Sequence, residues 1–214
     1  MEGNTATAPE IEQLIQAVET ADSAEKLVGA VRALAATRSP LAVPPLTTVL
    51  RYNNPGAAVA AVDGLIEIGD AAMPHLLANM DGYNYGARAW ATRACAGIGD
   101  PRALELLQEA ALTDFALSVR RAAAKGLGFL RWQTLPPEEQ GNVQKIIYET
   151  LIKVCADPEW VVRYGAIAGL ENLAKQAPHY HQPLRDFLRS FVEQEPEAIV
   201  KERINWALEN IAQA

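Results

Sequence analysis

The chain has 214 residues and a formal charge of −7, with half of its residues hydrophobic but only 7% aromatic. This is enough for one ordinary domain or a short repeat array. The 38 alanines favour close-packed helices over a β-sandwich, and the acidic balance argues against nucleic acid as the main partner. Two cysteines 60 positions apart are too few for a secreted disulfide scaffold, no signal-peptide pattern opens the sequence, and no apolar run approaches the ~20 residues of a membrane span. A cytoplasmic, all-α protein is expected.

In chain order, residues 1–8 read as a disordered lead, and 9–214 as one helical domain. The first helix is predicted at 9–20, and the second at 23–36 behind Asp22 and Glu25, which resemble a capping box. Ser39-Pro40 and Asn54-Pro55 place a capping side chain before a first-turn proline, opening helices at 40–51 and 55–68. Gly69-Asp70 and Gly99-Asp100 each close one helix and open the next, which bounds helices at 71–80 and 84–97. Asp100-Pro101 opens 101–112, followed by 115–131. Residues 133–140, with Pro136-Pro137, form an inserted loop. Helices at 138–156 and 158–176 follow, the latter behind Asp157-Pro158, and then 180–194 and 197–213.

These helices repeat in pairs. Val119-Arg120-Arg121-Ala122-Ala123-Ala124-Lys125-Gly126-Leu127 and Val162-Arg163-Tyr164-Gly165-Ala166-Ile167-Ala168-Gly169-Leu170 share one frame, and Val200-Lys201 begins another running to Leu208. Anchors fall at Leu34, Leu65, Cys95, Leu127, Leu170 and Leu208, spaced by 31, 30, 32, 43 and 38 residues. Apolar stripes such as Val119/Ala123/Leu127/Leu130 and Val162/Ala166/Leu170/Leu173 follow the helical period, with small residues where a neighbouring helix comes close. One pair cannot bury its own stripe, whereas stacked pairs share a core. The expected fold is an α-solenoid of about six HEAT-like helix pairs.

Charge and aromatic residues gather in the middle of the chain. Segments 86–98 and 115–132 hold Arg88, Arg93, Arg120, Arg121, Lys125 and Arg131 with no Asp or Glu. Second helices of such solenoids conventionally line the concave face. Tyr83, Tyr85, Trp90, Trp132, Trp160 and Tyr164 lie alongside, so a groove for a flat, conjugated carboxylate is one reading. The other is structural: Arg88, Arg120 and Arg163 share one repeat position, and Asp114 and Asp157 each stand six residues before such an Arg, the spacing of an Asp–Arg ladder. Trp90 and Trp160 can equally pack against a neighbouring repeat. Cys95 and Cys155 read as small core residues, and the three histidines show no metal-ligand spacing, so no metal and no cofactor are expected.

The block from Tyr83 to Asp100, followed by Val119 to Trp132, resembles the smaller, F-type (beta) subunit of the heterodimeric E/F phycobilin lyases, within the HEAT-like repeat class named after phycobilisome lyases. The resemblance spans nearly the whole chain. It implies pairing with a larger E-type subunit and attachment of phycocyanobilin, as substrate, through a thioether to a cysteine of the phycocyanin α subunit, with detachment or transfer also possible. Isomerising F-type subunits carry an adjacent His-Cys pair, and this sequence has none. The acceptor then supplies the thiolate. The bilin-binding candidates are Tyr83, Tyr85, Arg88, Trp90, Arg93, Arg120, Arg121, Trp160, Arg163 and Tyr164. Asp114 or Asp157 is the candidate proton donor, unless the acid lies on the other subunit. A non-catalytic solenoid adaptor and a bilin chaperone are the alternatives, with the isomerising F-type subunit as a minor one.

Overall fold

The computed structural model describes residues 7–78 and 84–213. Among them run α1 (Ala8–Glu19), α2 (Ala24–Ala36), α3 (Val43–Val49), α4 (Pro55–Ile68), α5 (Met73–Ala78), α6 (Tyr85–Ile98), α7 (Leu104–Thr113), α8 (Leu117–Gly128), α9 (Pro137–Val154), α10 (Trp160–Gln176), α11 (His181–Gln194) and α12 (Ala198–Gln213). Among the described residues there is no strand, and no helix is long and apolar enough to cross a membrane.

The chain divides into two compact units, Met1–Ile98 and Gly99–Ala214. In the first, α1 packs on α2, α3 on α4 and α5 on α6, while α2 also meets α4, and α4 meets α6. In the second, α7 pairs with α8, α9 with α10 and α11 with α12. There α8 packs on α10, and α10 on α12. Each unit is thus a stack of helix pairs, the arrangement its repeat spacing predicts.

Local chemistry sets most of the helix ends. The side chains of Ser39, Asn54 and Asp100 accept from the backbone N–H groups of Leu41, Ala57 and Arg102. Gly69 and Gly99 adopt φ of 73° and 69°, a region open to glycine, and close α4 and α6. At Gly99 a side chain is doubly excluded, since a Cβ would sit 2.7 Å from the carbonyl oxygen of Phe129.

Among the starts that differ from the sequence reading are those of α2, α10 and α1. Ser23, rather than Asp22, caps α2 by accepting from Lys26 N–H, and Asp22 instead forms an ion pair with Lys26 at 2.8 Å. Asp157-Pro158 does not open α10. Asp157 Oδ1 takes the N–H of Glu159, and the helix begins at Trp160. Thr7 and Ala8 belong to the start of α1, where the Glu10 carboxylate accepts from the Thr7 N–H at 2.7 Å and its hydroxyl at 2.9 Å. Residues 1–6 lie outside the described residues.

The repeat stripe forms the core. Val119, Ala123, Leu127 and Leu130 of one copy, and Val162, Ala166 and Leu170 of the next, are all closed to water. Glycines let the helices that carry it approach each other. A Cβ on Gly169 would lie 2.7 Å from the carbonyl oxygen of Ala124, and one on Gly128 would overlap the Gly169 backbone, so α8 and α10 touch main chain to main chain. Trp132 is buried and belongs to this core rather than to an open groove.

Candidate functional site

The second unit contains an arginine ladder, offset by one repeat from the expected one. The Arg120 guanidinium donates from Nη1 to the backbone carbonyl of Asp114, six residues back, at 2.8 Å. Its carboxylate partner lies one repeat onward. Nε and Nη2 reach the two oxygens of Asp157 at 2.7 and 3.2 Å. Arg163 repeats the pattern, with Nη1 on the Asp157 carbonyl at 2.9 Å, and Nε and Nη2 on Glu195 at 2.8 and 2.6 Å. These bidentate pairs are almost closed to water, so each rung ties one inter-helix turn to the next. Burial pushes the Glu195 carboxyl up, but hydrogen bonds from Arg163 and the Glu197 N–H outweigh it and hold the group below its ordinary value.

This accounting divides the sequence candidates. Arg120, Arg163 and Asp157 are held in the ladder, and Asp114 contributes its carbonyl to Arg120 while its Oδ1 accepts from the Ala116 N–H at 2.8 Å. On α6, Tyr85 is exposed and the Arg88 guanidinium lies 5.9 Å from its ring centroid; Arg93, also exposed, lies 5.7 Å from the ring of Trp90. Both are cation–π contacts within one helix turn. Tyr83 lies outside the described residues. Arg121, Trp160 and Tyr164 stand on the open faces of α8 and α10.

The stacking of α8, α10 and α12 sorts the remaining residues into rows. Counting from the anchors Leu127, Leu170 and Leu208, the position six residues earlier holds Arg121, Tyr164 and Glu202. The position two earlier holds Lys125, Ala168 and Trp206, and the position two later Phe129, Asn172 and Asn210. Ala168 is the smallest member of the middle row, and around it opens a groove of about 260 Å³ lined by Lys125, Phe129, Tyr164, Asn172, Arg203 and Trp206, with Glu171 and Lys175 at one side. Lys125 lies 5.7 Å from the Phe129 ring, and the Arg203 guanidinium lies 5.7 Å from Tyr164 and 5.1 Å from Trp206. Cations lying close to flat rings, on helices whose first turns also expose Leu117 and Trp160, offer both charge and stacking surface.

Of the sequence candidates among the described residues, only Tyr164 lines this groove. Lys125 was visible as part of the cation cluster. Arg203 and Trp206 lie outside the two acid-free segments that drew attention, on a helix that also carries Glu202 and Glu209.

The helix-pair stack and its buried ladder define a HEAT-type helical-repeat protein, and a model of HEAT repeats matches residues 73–138. The chain is 88% identical, over 99% of both chains, to the phycocyanin alpha phycocyanobilin lyase CpcF of Synechocystis sp.. It is 46% identical to a phycocyanobilin lyase subunit beta of Nostoc sp. PCC 7120, over 90% of this chain and 96% of that one. The solved complex of CpcE and CpcF of phycocyanin lyase, also from Nostoc sp. PCC 7120, contains a chain that superposes with a TM-score of 0.76 at 46% identity, covering 79% of this chain and 99% of that one. The protein belongs to the family of phycocyanobilin lyase beta, or F-type, subunits.

Proposed function

We propose that this chain is the F-type subunit of a heterodimeric lyase that, with an E-type partner, attaches phycocyanobilin to a cysteine of the phycocyanin α subunit. The observation that carries the reading is a combination found in a member of this family. The exposed face of α8, α10 and α12 offers cations and rings, while both thiols are shut inside the core. Burial pushes the Cys155 thiol up to about 12, so it stays protonated at neutral pH, and Cys95 is equally closed to water.

The acceptor's sulfur is therefore the nucleophile. Its S–H adds across the bilin's ethylidene double bond, with sulfur bonding to the exocyclic carbon and hydrogen to the ring carbon, and no group leaves. The lyase holds the flexible tetrapyrrole with its ethylidene end against that sulfur, converting a random encounter into an oriented one. In this reading Arg121, Lys125, Trp160 and Tyr164, all in the second unit, contact the bilin. Arg120, Arg163, Asp114 and Asp157 fix the turns that present the face rather than delivering a proton. Reaction in the cytoplasm, with bilin as substrate and no resident cofactor, completes the reading. With no His-Cys dipeptide, the product keeps its double-bond pattern unisomerised.

The test is to incubate the chain, an E-type partner, phycocyanobilin and the phycocyanin α subunit, and to look for bilin fluorescence on α after denaturing electrophoresis. The adduct is expected only with both subunits present. Equal attachment without this chain reduces it to an adaptor, and bilin held without faster attachment makes it a chaperone.

A further inference from the structure

The groove on α8, α10 and α12 contains one buried donor that the fold leaves unused. The Glu171 carboxylate accepts from Lys175 Nζ at 2.5 Å, Arg203 Nη2 at 2.5 Å and Asn210 Nδ2 at 2.8 Å. Two cations and an amide therefore converge on one carboxylate. Arg203 itself is more than nine-tenths buried, and its second terminal nitrogen, Nη1, is closed to water without a hydrogen-bond partner. A buried donor left unmade costs about 1–3 kcal/mol, more on a charged group, so such a nitrogen points to a missing acceptor.

The surroundings specify the acceptor. The lining residues carry three cations, Lys125, Lys175 and Arg203, against the single carboxylate of Glu171. The guanidinium carbon lies 5.7 and 5.1 Å from the ring centroids of Tyr164 and Trp206, and Trp206 is 57% exposed, so its side chain has room to swing aside. The fold thus holds an excess of positive charge, an unfilled donor and two ring faces in one place. At about 260 Å³ the cavity is smaller than the ~300–1,000 Å³ that encloses a whole drug-sized ligand, and so suits a side arm and an adjoining ring.

We infer that Arg203 is the carboxylate anchor of the bilin site: its free Nη1, with Lys125 at the rim, takes one propionate of the linear tetrapyrrole, while Tyr164 and Trp206 bracket the neighbouring pyrrole. This rests on the lyase reading above and assigns within it a subsite on α12, outside the central block that carries the family resemblance. Glu171, Lys175 and Asn210 act as positioning residues. They hold the guanidinium by its other nitrogen so that Nη1 faces the groove.

The experiment uses the heterodimer with an E-type partner, and two probes: phycocyanobilin and its propionate dimethyl ester. Binding is followed by the shift of the visible absorption band. Arg203→Lys keeps a cation for Glu171 but removes the second nitrogen. It is expected to weaken the free acid by about 10- to 100-fold, the range of one charge-assisted hydrogen bond, and to change the ester by less than about twofold. Equal weakening of both probes, or no change in either, overturns the inference while leaving the lyase reading in place. If the wild-type heterodimer binds neither probe, the lyase reading falls too. Should Arg203→Lys lose its helical circular dichroism, a crystal of the wild-type complex with phycocyanobilin decides: a propionate oxygen within about 3.2 Å of Nη1 supports the anchor, and both propionates placed elsewhere refute it.

Discussion

Arg163 and Glu195 form the most enclosed of the ladder pairs described here, and at the scale of single residues they make stability depend on pH. The folded Glu195 carboxyl titrates below its ordinary value, so the pair's contribution is complete above the unfolded value of about 4.3 and fades as pH falls through the folded one. Glu195→Gln removes the charge but keeps the shape, stranding a buried guanidinium. It is expected to cost about 3 kcal/mol at pH 7 in urea unfolding, a gap that narrows as the pH approaches 3. A constant gap across that range would mean that the carboxylate's charge contributes nothing. The two thiols make a second residue-level case. Cys95 and Cys155 are both buried, and a disulfide-exchange reagent at pH 7.5 is expected to titrate neither in the native chain and both after denaturation. A native thiol that reacts with the reagent would reopen the possibility of a transient bilin adduct on this subunit.

At the scale of elements, the contact between α8 and α10 decides how the groove is built. Gly128, Gly165 and Gly169 bring the two backbones together, and a Cβ on Gly165 would already press on the carbonyl oxygen of Arg121 at 3.0 Å. Gly169→Ala must force the helices apart, since the obstacle is main chain and cannot rotate away. The expected loss is about 2 kcal/mol, against the small gain that Gly→Ala gives at an unobstructed helical position. Gly29 on α2 supplies the control, because a Cβ there meets nothing within 4 Å. A neutral Gly169→Ala in thermal unfolding would contradict the close approach. The Arg ladder also belongs to this scale, because a turn in one pair is secured by a side chain from the preceding pair.

At the scale of the whole molecule, the chain is two units that each carry their own core. In a stack of helix pairs, stability is largely a sum of repeat and nearest-neighbour terms, so damage should stay local. Hydrogen exchange of Gly169→Ala is expected to show lost protection in the amides of α8 and α10, with those of α2 and α4 close to wild type. Uniform loss along the chain would show instead that the two units unfold as one cooperative block.

The sequence by itself determined the repeat and the elements. The stripe Val119/Ala123/Leu127/Leu130, the Ser39, Asn54 and Asp100 caps, and the left-handed Gly69 and Gly99 are set by neighbours a few residues away, so they can be read without knowing what packs where. The candidate list was legible in composition, but the role of each member was not. Whether Arg120 faces a ligand or a carboxylate depends on the turn of the following pair, and its partner proved to be Asp157 rather than the nearer Asp114. Only tertiary structure decided that Lys125, Ala168 and Trp206, about forty residues apart in turn, form one row. Helix stacking, and not chain proximity, brings equivalent positions of successive repeats within reach of one ligand, and it alone revealed Arg203 with a donor left to give.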